Sequence, residues 1–153
     1  MMYLERFSDH IRASMPLTRH LDFRMLDWDG ERLTMSAALA PNINDKGTLF
    51  AGSQTALLTL AGWAYTTLLA RPLRVDVVAA TSTMAFHAPI RADMEIVASA
   101  SLDACTRFGQ RLARKGRAPL AVQVLAREIG GDWASEYQGN YLATLHPDGD
   151  LPA

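Results

Sequence analysis

The residue types best suited to chemistry lie where a polar loop meets a long apolar run. Residues 41–48 are rich in turn-forming side chains, and residues 49–70 contain no charged residue. The apolar run predicts a helix, whose N-terminus offers unpaired N–H groups and a partial positive charge. Small residues there, Ala51 and Gly52, allow a substrate to approach the backbone. This combination suits the binding of a developing oxyanion.

Hydroxyl groups nearby could complete such a site. Thr55 and Thr59 lie one turn apart on one face of the predicted helix. Thr81 and Thr83 share one face of a later predicted strand and are expected to join the two helix threonines. The sequence therefore predicts a pocket lined by hydroxyls.

The catalytic base is not assigned by the residues. Residues 49–70 contain no carboxylate, and a neutral hydroxyl is a poor base near neutral pH. Asp45, in the loop, is the nearest substitute. A purely structural role, in which Asn42, Asn44 and Gly52 shape the turn and cap the helix, is the open alternative.

A basic cluster follows further along the chain. Arg107, Arg111 and Arg114 share a helical face, and no acidic residue lies between Asp103 and Glu128. Such a cluster could clasp phosphate groups. The alternative is an ordinary solvated helix face.

Composition and spacing argue against several other classes. A net charge of -1 gives no support for nucleic-acid binding. The four histidines lack metal-ligand spacing, so no metal site is predicted, although His87 could edge a pocket. The single cysteine, Cys105, and a charged N-terminal stretch without a signal-peptide pattern favour a reducing, cytoplasmic location.

The apolar run is long enough to span a bilayer, so a membrane helix must be considered. Hydroxyls and one amide, Gln54, are spread along it, and its flanks lack an aromatic belt. We therefore predict a helix buried in protein and no membrane partner.

Periodicity predicts the elements that must position these residues. Helices are expected over 4–15, 49–70 and 106–115, strands over 21–25, 33–39, 75–86, 94–102, 120–129 and 134–145, and a polar tail over 146–153. Without βαβ alternation, this order predicts one α+β domain over 1–153, with a curved antiparallel sheet wrapped around the long helix. An exposed sheet end is best hidden by a second copy, so a homodimer is expected.

Three stretches carry a family resemblance: Asn44–Gly52, Leu60-Ala61-Gly62-Trp63 and Phe86-His87-Ala88-Pro89. They resemble the hotdog-fold thioesterases, most closely a bacterial thioesterase-like domain that is elsewhere fused to an acetyltransferase domain. The resemblance implies a hotdog fold and hydrolysis of an acyl-CoA or acyl-carrier-protein thioester by activated water. It also implies a homodimer or dimer of dimers, and no cofactor beyond the CoA or phosphopantetheine of the substrate.

The resemblance also implies roles for individual residues. The Ala51 and Gly52 amides would hold the thioester oxygen and Asn44 would orient water, while the helix carboxylate of the family falls on Thr59. The substrate would contact Asn42, Phe50, Ser53, Thr55, Thr81, Thr83, His87, Arg107, Arg111 and Arg114. Because the carboxylate is missing, a non-catalytic acyl-binding module is the alternative. A hotdog dehydratase ranks third, since its histidine and acid are both absent from this helix.

Overall fold

The structure, a computed structural model, describes residues 2–150, with side chains described through residue 147. Three α-helices and six strands alternate with two short 3-10 helices at Pro16–His20 and Ala40–Asn42. The helices are α1 (Met2–Ser14), α2 (Ala51–Ala70) and α3 (Leu102–Lys115). The strands are β1 (Phe23–Trp28), β2 (Arg32–Ala37), β3 (Leu73–Phe86), β4 (Met94–Ser99), β5 (Arg117–Glu128) and β6 (Trp133–Asp150).

The six strands form one antiparallel sheet in the order β1-β2-β4-β5-β6-β3. The single helix α2 contacts β2, β4, β5, β6 and β3. One helix can touch five neighbouring strands only if the sheet curves around it, because strands lie about 4.8 Å apart. The predicted α+β architecture, a curved sheet around a central helix, is confirmed.

The central position of α2 follows from its sequence. Apolar side chains occur on all sides of this helix, and Leu57, Leu58, Ala61, Ala64 and Tyr65 are completely buried. A helix without a polar face must be enclosed. No helix in the part of the chain that the structure describes combines the length and hydropathy needed to cross a membrane.

Two element boundaries differ from the prediction around α3. The helix begins at Leu102 rather than at residue 106, and β4 ends at Ser99. The Ser101 side chain caps the helix by accepting a hydrogen bond from the Ala104 N–H at 3.1 Å. Ser101 followed by Asp103 is an N-terminal signal that the sequence interpretation overlooked.

The last two strands are longer than predicted. β5 begins at Arg117 and includes Pro119, which pairs with Leu142 of β6. Pairing with β4 starts only at Gln123, so the prolyl nitrogen can lie on the unpaired side of the strand. β6 continues through residues 146–150, where a polar tail was predicted, because β3 extends alongside it. Residues 151–153 lie outside the described residues.

Helix α1 covers only the C-terminal half of α2. Phe7 stacks on Trp63 with ring centroids 5.8 Å apart, and the Arg71 guanidinium lies 3.3 Å from the Tyr3 ring centroid. The Trp63 indole N–H donates to the Val77 carbonyl of β3 at 3.0 Å. The N-terminal turns of α2 are left uncovered on this side, where Gly52 and Thr55 are exposed.

Candidate functional site

The loop before α2 is held by a buried asparagine. Asn42 is 2% exposed, and its side-chain amide donates to the carbonyls of Leu21 and Ala38, both at 2.8 Å. Its own carbonyl accepts the Phe50 N–H at 2.8 Å. The sequence prediction assigned Asn42 to substrate binding, but its buried side chain is engaged by the backbone and fixes the approach to the helix.

Asn44 shapes the tip of the same loop. Its carbonyl oxygen accepts from the backbone N–H groups of Lys46 and Thr48 at 2.9 and 3.0 Å, and its amide donates to the Thr48 hydroxyl at 2.8 Å. These contacts form an Asx turn. Asp45 pairs with the adjacent Lys46 at 2.9 Å, and both side chains are at least 75% exposed. The loop residues therefore have structural contacts that any role in water positioning must leave intact.

A second buried amide fixes the residues that begin α2. Gln54, 4% exposed, donates through Nε2 to the Leu49 carbonyl at 3.2 Å. Its Oε1 accepts a 2.5 Å hydrogen bond from the hydroxyl of Ser135, which is 1% exposed and lies in β6. The Leu49 N–H donates to the Ile90 carbonyl at 2.8 Å. The sequence interpretation missed this clamp, although a single amide in an apolar run was its visible signal.

The helix N-terminus itself is open. Phe50 occupies the N-cap position without a side-chain capping hydrogen bond, and Ala51 and Gly52 are exposed. The Phe50 ring, 53% exposed, lies against Gly52 so closely that a Cβ there would overlap the ring. The first backbone N–H groups of α2 are thus accessible to an external acceptor, which is the property that oxyanion binding needs.

One threonine of α2 differs from the other three. Thr55, Thr66 and Thr67 each donate to the carbonyl four residues earlier, at 2.9–3.0 Å. Among the residues that the structure describes, the hydroxyls of Thr59 and Ser53 have no hydrogen-bond partner, and both side chains are half-buried. Thr59 therefore carries a hydroxyl that remains available to water or substrate.

A β-bulge changes the face on which the strand hydroxyls lie. Val77 is buried on the side of α2, and simple alternation would place Thr81 and Thr83 on that side too. The register shifts between Ala79 and Thr81, so Thr81 and Thr83 pair with exposed Asn140 and Gln138 on the outer face. The Thr81 hydroxyl accepts from Asn140 at 2.8 Å. The structure does not bring these two threonines to the helix threonines.

Ser82 takes their place. It pairs with Gly139, whose neighbours Tyr137 and Tyr141 are buried beneath α2. Strand and helix run antiparallel, and Trp63 fixes their register at Val77. The strand from Val77 to Ser82, including the bulge, spans about 13–16 Å. The same length of α2 contains about nine to eleven residues, and counting these back from Trp63 puts Ser82 level with Gly52. By this register Gly52, Thr55 and Thr59 of α2 lie beside Ser82 of β3, and we call the surface that these four residues define the neutral trough.

No carboxylate faces the neutral trough among the described side chains. The nearest acid on the adjoining strands, Glu136, belongs to the outer face of β6. His87, 60% exposed at its side chain, points to the same acid, with 3.7 Å between its Nε2 and a carboxylate oxygen. No group of three metal-ligating side chains occurs in the described part of the chain. The neutral trough can therefore bind a carbonyl group and polarise it by hydrogen bonds, but its own side chains supply no strong base.

Two buried tyrosines support the helix from below. The Tyr141 hydroxyl donates to the Thr59 carbonyl at 2.8 Å and lies 2.7 Å from the Tyr137 hydroxyl. Gly62 leaves the space for the Tyr141 phenol, because a Cβ at residue 62 would overlap it. Burial raises the pKa of Tyr141 far above the ordinary phenol value. Tyr141 is therefore neutral at physiological pH, and the contacts of both tyrosines are structural.

The basic residues are grouped differently from the prediction. Arg107 pairs with Asp103 at 3.0 Å on the exposed face of α3. Arg111 instead lines a depression with Lys115 and Arg117, and Arg114 is not part of its lining. Arg107, Arg111 and Arg114 all lie exposed on α3, and of the three only Arg111 lines the depression between the end of α3 and the start of β5.

Comparison with known proteins gives one family and many related folds. A family model described as "Putative thioesterase (yiiD_Cterm)" matches residues 4–145. A structure described as a putative thioesterase from Shewanella oneidensis is 25% identical, with a TM-score of 0.79, covering 92% of this chain and 96% of that one. A protein of unknown function from Chlorobaculum tepidum is 20% identical, with a TM-score of 0.82 and coverage of 94% and 95%. A Haemophilus influenzae thioesterase is 14% identical, with a TM-score of 0.72 and coverage of 93% and 90%. These matches establish the hotdog fold.

Proposed function

This chain belongs to the thioesterase family described as "Putative thioesterase (yiiD_Cterm)", and on that premise we propose that it hydrolyses an acyl-CoA or acyl-carrier-protein thioester in the neutral trough. Water attacks the acyl carbon, the carbon–sulfur bond breaks, and the departing thiolate takes up the proton released by the water. The thioester oxygen is held by the first backbone amides of α2. The pantetheine arm enters past the exposed Phe50 ring.

The observation that carries the proposal is the uncapped, accessible start of α2. The amides of Ala51 and Gly52 have no side-chain acceptor at the N-cap, and the Gln54 and Asn42 contacts hold the preceding residues rigidly. Fixed donors aimed at a developing oxyanion can supply several kcal/mol of transition-state stabilisation. Thr59 supports the proposal because its hydroxyl, unlike those of Thr55, Thr66 and Thr67, has no partner among the described residues and is free to orient water.

We propose a homodimer formed by the outer edge of β3. This strand ends the sheet, and its segment 78–86 is largely exposed, with Val78 58% and Phe86 49% exposed. The Trp63 indole N–H already donates to the Val77 carbonyl at this edge, so β3 of a second copy would pair with the residues that follow Val77. An antiparallel pair centred near Ser82 would close the neutral trough and hide an edge of this length.

The backbone N–H and C=O groups of successive residues in β3 point alternately towards β6 and towards the free edge. Because the Val77 carbonyl faces the edge, the backbone groups of Ser82 face it as well, after the bulge. Ser82→Pro removes one edge N–H and leaves the ladder to β6, whereas Thr83→Ala leaves both sets of bonds. In sedimentation-velocity runs, wild type and Thr83→Ala should be dimers and Ser82→Pro a folded monomer. A dimer in all three would refute this interface, with circular dichroism checking that each variant is folded.

Hydrolysis is tested by free-thiol release from a panel of acyl-CoAs. Thr59→Val removes the available hydroxyl at nearly constant volume, and Thr67→Val is the matched control, since the Thr67 hydroxyl is engaged by the Trp63 carbonyl. We expect Thr59→Val to lower kcat about 10- to 100-fold, and Thr67→Val to keep it within about 2-fold. Thr59→Asp should raise the rate if only the carboxylate is missing. Equal rates in the two valine variants would refute the role of Thr59.

One observation favours a second candidate, a non-catalytic acyl-binding module. The neutral trough has no carboxylate among the described side chains, so binding without turnover is chemically consistent. Wild-type protein that binds acyl-CoA saturably but releases no thiol would support this candidate. Turnover that rises steadily with pH, without a carboxylate inflection, would support hydrolysis in the absence of a strong base.

A further inference from the structure

The peptide unit that joins Leu49 to Phe50 is held at both of its polar atoms. Its carbonyl oxygen, on Leu49, accepts from the Gln54 side-chain amide at 3.2 Å. Its N–H, on Phe50, donates to the Asn42 carbonyl at 2.8 Å. Gln54 and Asn42 are both buried, so the two contacts are shielded from water. This peptide unit therefore cannot turn without leaving a buried polar atom unpaired, which is unfavourable.

The amides that we assign to the thioester oxygen follow this peptide unit directly. The Ala51 N–H belongs to the next peptide unit, whose carbonyl, on Phe50, accepts from the Gln54 backbone N–H at 3.0 Å. Gln54 thus holds two successive peptide units, one through its side chain and one through its backbone. Only the dihedral angles of Phe50, φ −64° and ψ 131°, separate the peptide unit held at both atoms from the Ala51 donor. The direction of that donor is therefore set by Gln54.

Ser135 orients the Gln54 side chain from the sheet. Its hydroxyl is buried and donates to the Gln54 Oε1 at 2.5 Å. A carboxamide carries an acceptor on one side and a donor on the other. Because the acceptor side is bound to Ser135, the Gln54 nitrogen must face the Leu49 carbonyl. Loss of the hydroxyl would leave a buried oxygen without this partner and the amide without a fixed orientation.

A second path of hydrogen bonds joins β6 to the residue before the helix. The carbonyl of Ala134, the residue before the serine in β6, accepts from the N–H groups of His87 and Ala88 at 2.8 and 3.1 Å. Further along the same loop, the Ile90 carbonyl accepts the Leu49 N–H at 2.8 Å. β6 therefore fixes Leu49 from both sides: its N–H through this loop, and its carbonyl through the glutamine.

We propose that Gln54 and Ser135 are positioning residues for the proposed reaction. Ser135 orients the Gln54 side chain, and Gln54 in turn sets the direction of the first amides of α2. The inference rests on the proposed function for the reaction that these amides serve. Both side chains are buried and act without touching the substrate. A misplacement of about 1 Å at a reacting group can cost up to about 100-fold in rate. Since these donors act on the charge that develops in the transition state, the effect belongs to kcat rather than to KM.

The first test measures the rigidity of the two amides and needs no substrate. Backbone ¹⁵N order parameters of Ala51 and Gly52 are compared in wild type, Ser135→Ala and Ser8→Ala. Ser8→Ala is the matched control, because this buried hydroxyl donates to the Leu4 carbonyl at 2.8 Å within α1. We expect about 0.85 in wild type and in the control, and a fall towards about 0.6 in Ser135→Ala. Unchanged order parameters and amide chemical shifts in Ser135→Ala would overturn the proposal.

The second test separates this proposal from the proposed function. Thiol release is measured for the same three proteins with the acyl-CoA that wild type hydrolyses fastest. Ser135→Ala should lower kcat about 10-fold and keep KM within about 2-fold, while Ser8→Ala should keep both within about 2-fold. A change in KM alone, or equal losses in both variants, would contradict a positioning role. If wild type hydrolyses no thioester, the hydrolase proposal fails, but the order parameters still decide whether Ser135 positions the amides.

The third test uses Gln54→Glu to examine the hydrogen-bond donor itself. A protonated carboxyl can donate to the Leu49 carbonyl as the amide does, whereas a carboxylate can only accept. The ratio of variant to wild-type kcat should therefore be highest at low pH and fall as the pH rises through the pKa of the new carboxyl. Burial raises the pKa of a carboxyl, so this fall should lie above about pH 4.3. Circular dichroism at each pH checks that the variant is folded. A ratio that does not change with pH would show that donation by residue 54 is not what positions the amides.

Discussion

The hydrogen bond between Ser135 of β6 and Gln54 of α2 should contribute measurably to the free energy of unfolding. Both side chains are buried, and the Gln54 amide also holds the Leu49 carbonyl. Ser135→Ala leaves the Gln54 oxygen without a partner, which costs about 1–3 kcal/mol. Gln54→Met leaves the Ser135 hydroxyl and the Leu49 carbonyl without partners, so about 2–4 kcal/mol is expected.

The double variant should cost less than the sum of the single variants. With both side chains replaced, only the Leu49 carbonyl has lost its partner, and the expected cost is about 1–3 kcal/mol. The coupling energy from the cycle, which is the sum of the two single costs minus the double cost, is therefore about 2–4 kcal/mol. At this chain length, Gln54→Met should lower Tm by about 4–16 °C, since 1 kcal/mol corresponds to about 2–4 °C.

Urea unfolding measures the stability of all four proteins at one fixed protomer concentration, because the proposed dimer would make stability depend on concentration. The m-value should stay constant across the set. Additive costs, with a coupling energy below about 0.3 kcal/mol, would refute the view that these two buried groups depend on each other. Single variants within about 0.5 kcal/mol of wild type would refute the burial argument altogether.

Three further outcomes follow from the structure. Gly62→Ala should destabilise by about 1–3 kcal/mol in urea unfolding because the new Cβ overlaps the Tyr141 phenol, whereas Gly109→Ala, with no atom near its Cβ, should stabilise by about 0.5–1 kcal/mol; the opposite order would contradict the packing. Gly116→Ala should cost about 1 kcal/mol and Gly116→Asn less, since residue 116 has φ 67°; equal costs would show that the left-handed conformation is not the cause. Burial raises the pKa of Tyr65 and Tyr141 above the value in the unfolded chain, so the unfolded chain releases these protons first as the pH rises. The free energy of unfolding should therefore fall above about pH 10, by up to about 1.4 kcal/mol per pH unit for each tyrosine. Tyr141→Phe should make the fall of stability with pH less steep, and an unchanged pH dependence in alkaline unfolding would contradict the assignment.

The central helix and the curved antiparallel sheet were predictable because burial leaves a repeating pattern in the sequence. Residues 49–70 lack charge on every side, and the later strands alternate in burial as β5 does. These patterns depend on local spacing alone. They identify elements and the direction of packing without any knowledge of partners.

The side chains that shape the site depend on information that local spacing does not contain. A bulge after Ala79 exchanges the two faces of β3 for the side chains that follow it, so Thr81 and Thr83 lie on the outer face and Ser82 lies on the inner face. Nothing in the alternation of Val, Ala and Thr marks that inserted residue. The partners of Asn42 and Gln54 are likewise distant in the chain, so the amides could be noticed as polar but not assigned to their carbonyls.

The uniformly apolar surface of α2 leaves its rotation about its own axis undetermined by hydrophobicity. An amphipathic helix is oriented by its polar face, but a helix that is apolar on all sides could bury similar area in many rotations. Here the orientation is set by three contacts: the Gln54 amide with Ser135, the Trp63 indole with Val77, and the Tyr141 phenol seated at Gly62. Loss of these contacts would replace one native arrangement by several of nearly equal energy. A variant could then keep its helix content and compactness while its first-turn amides no longer share one direction.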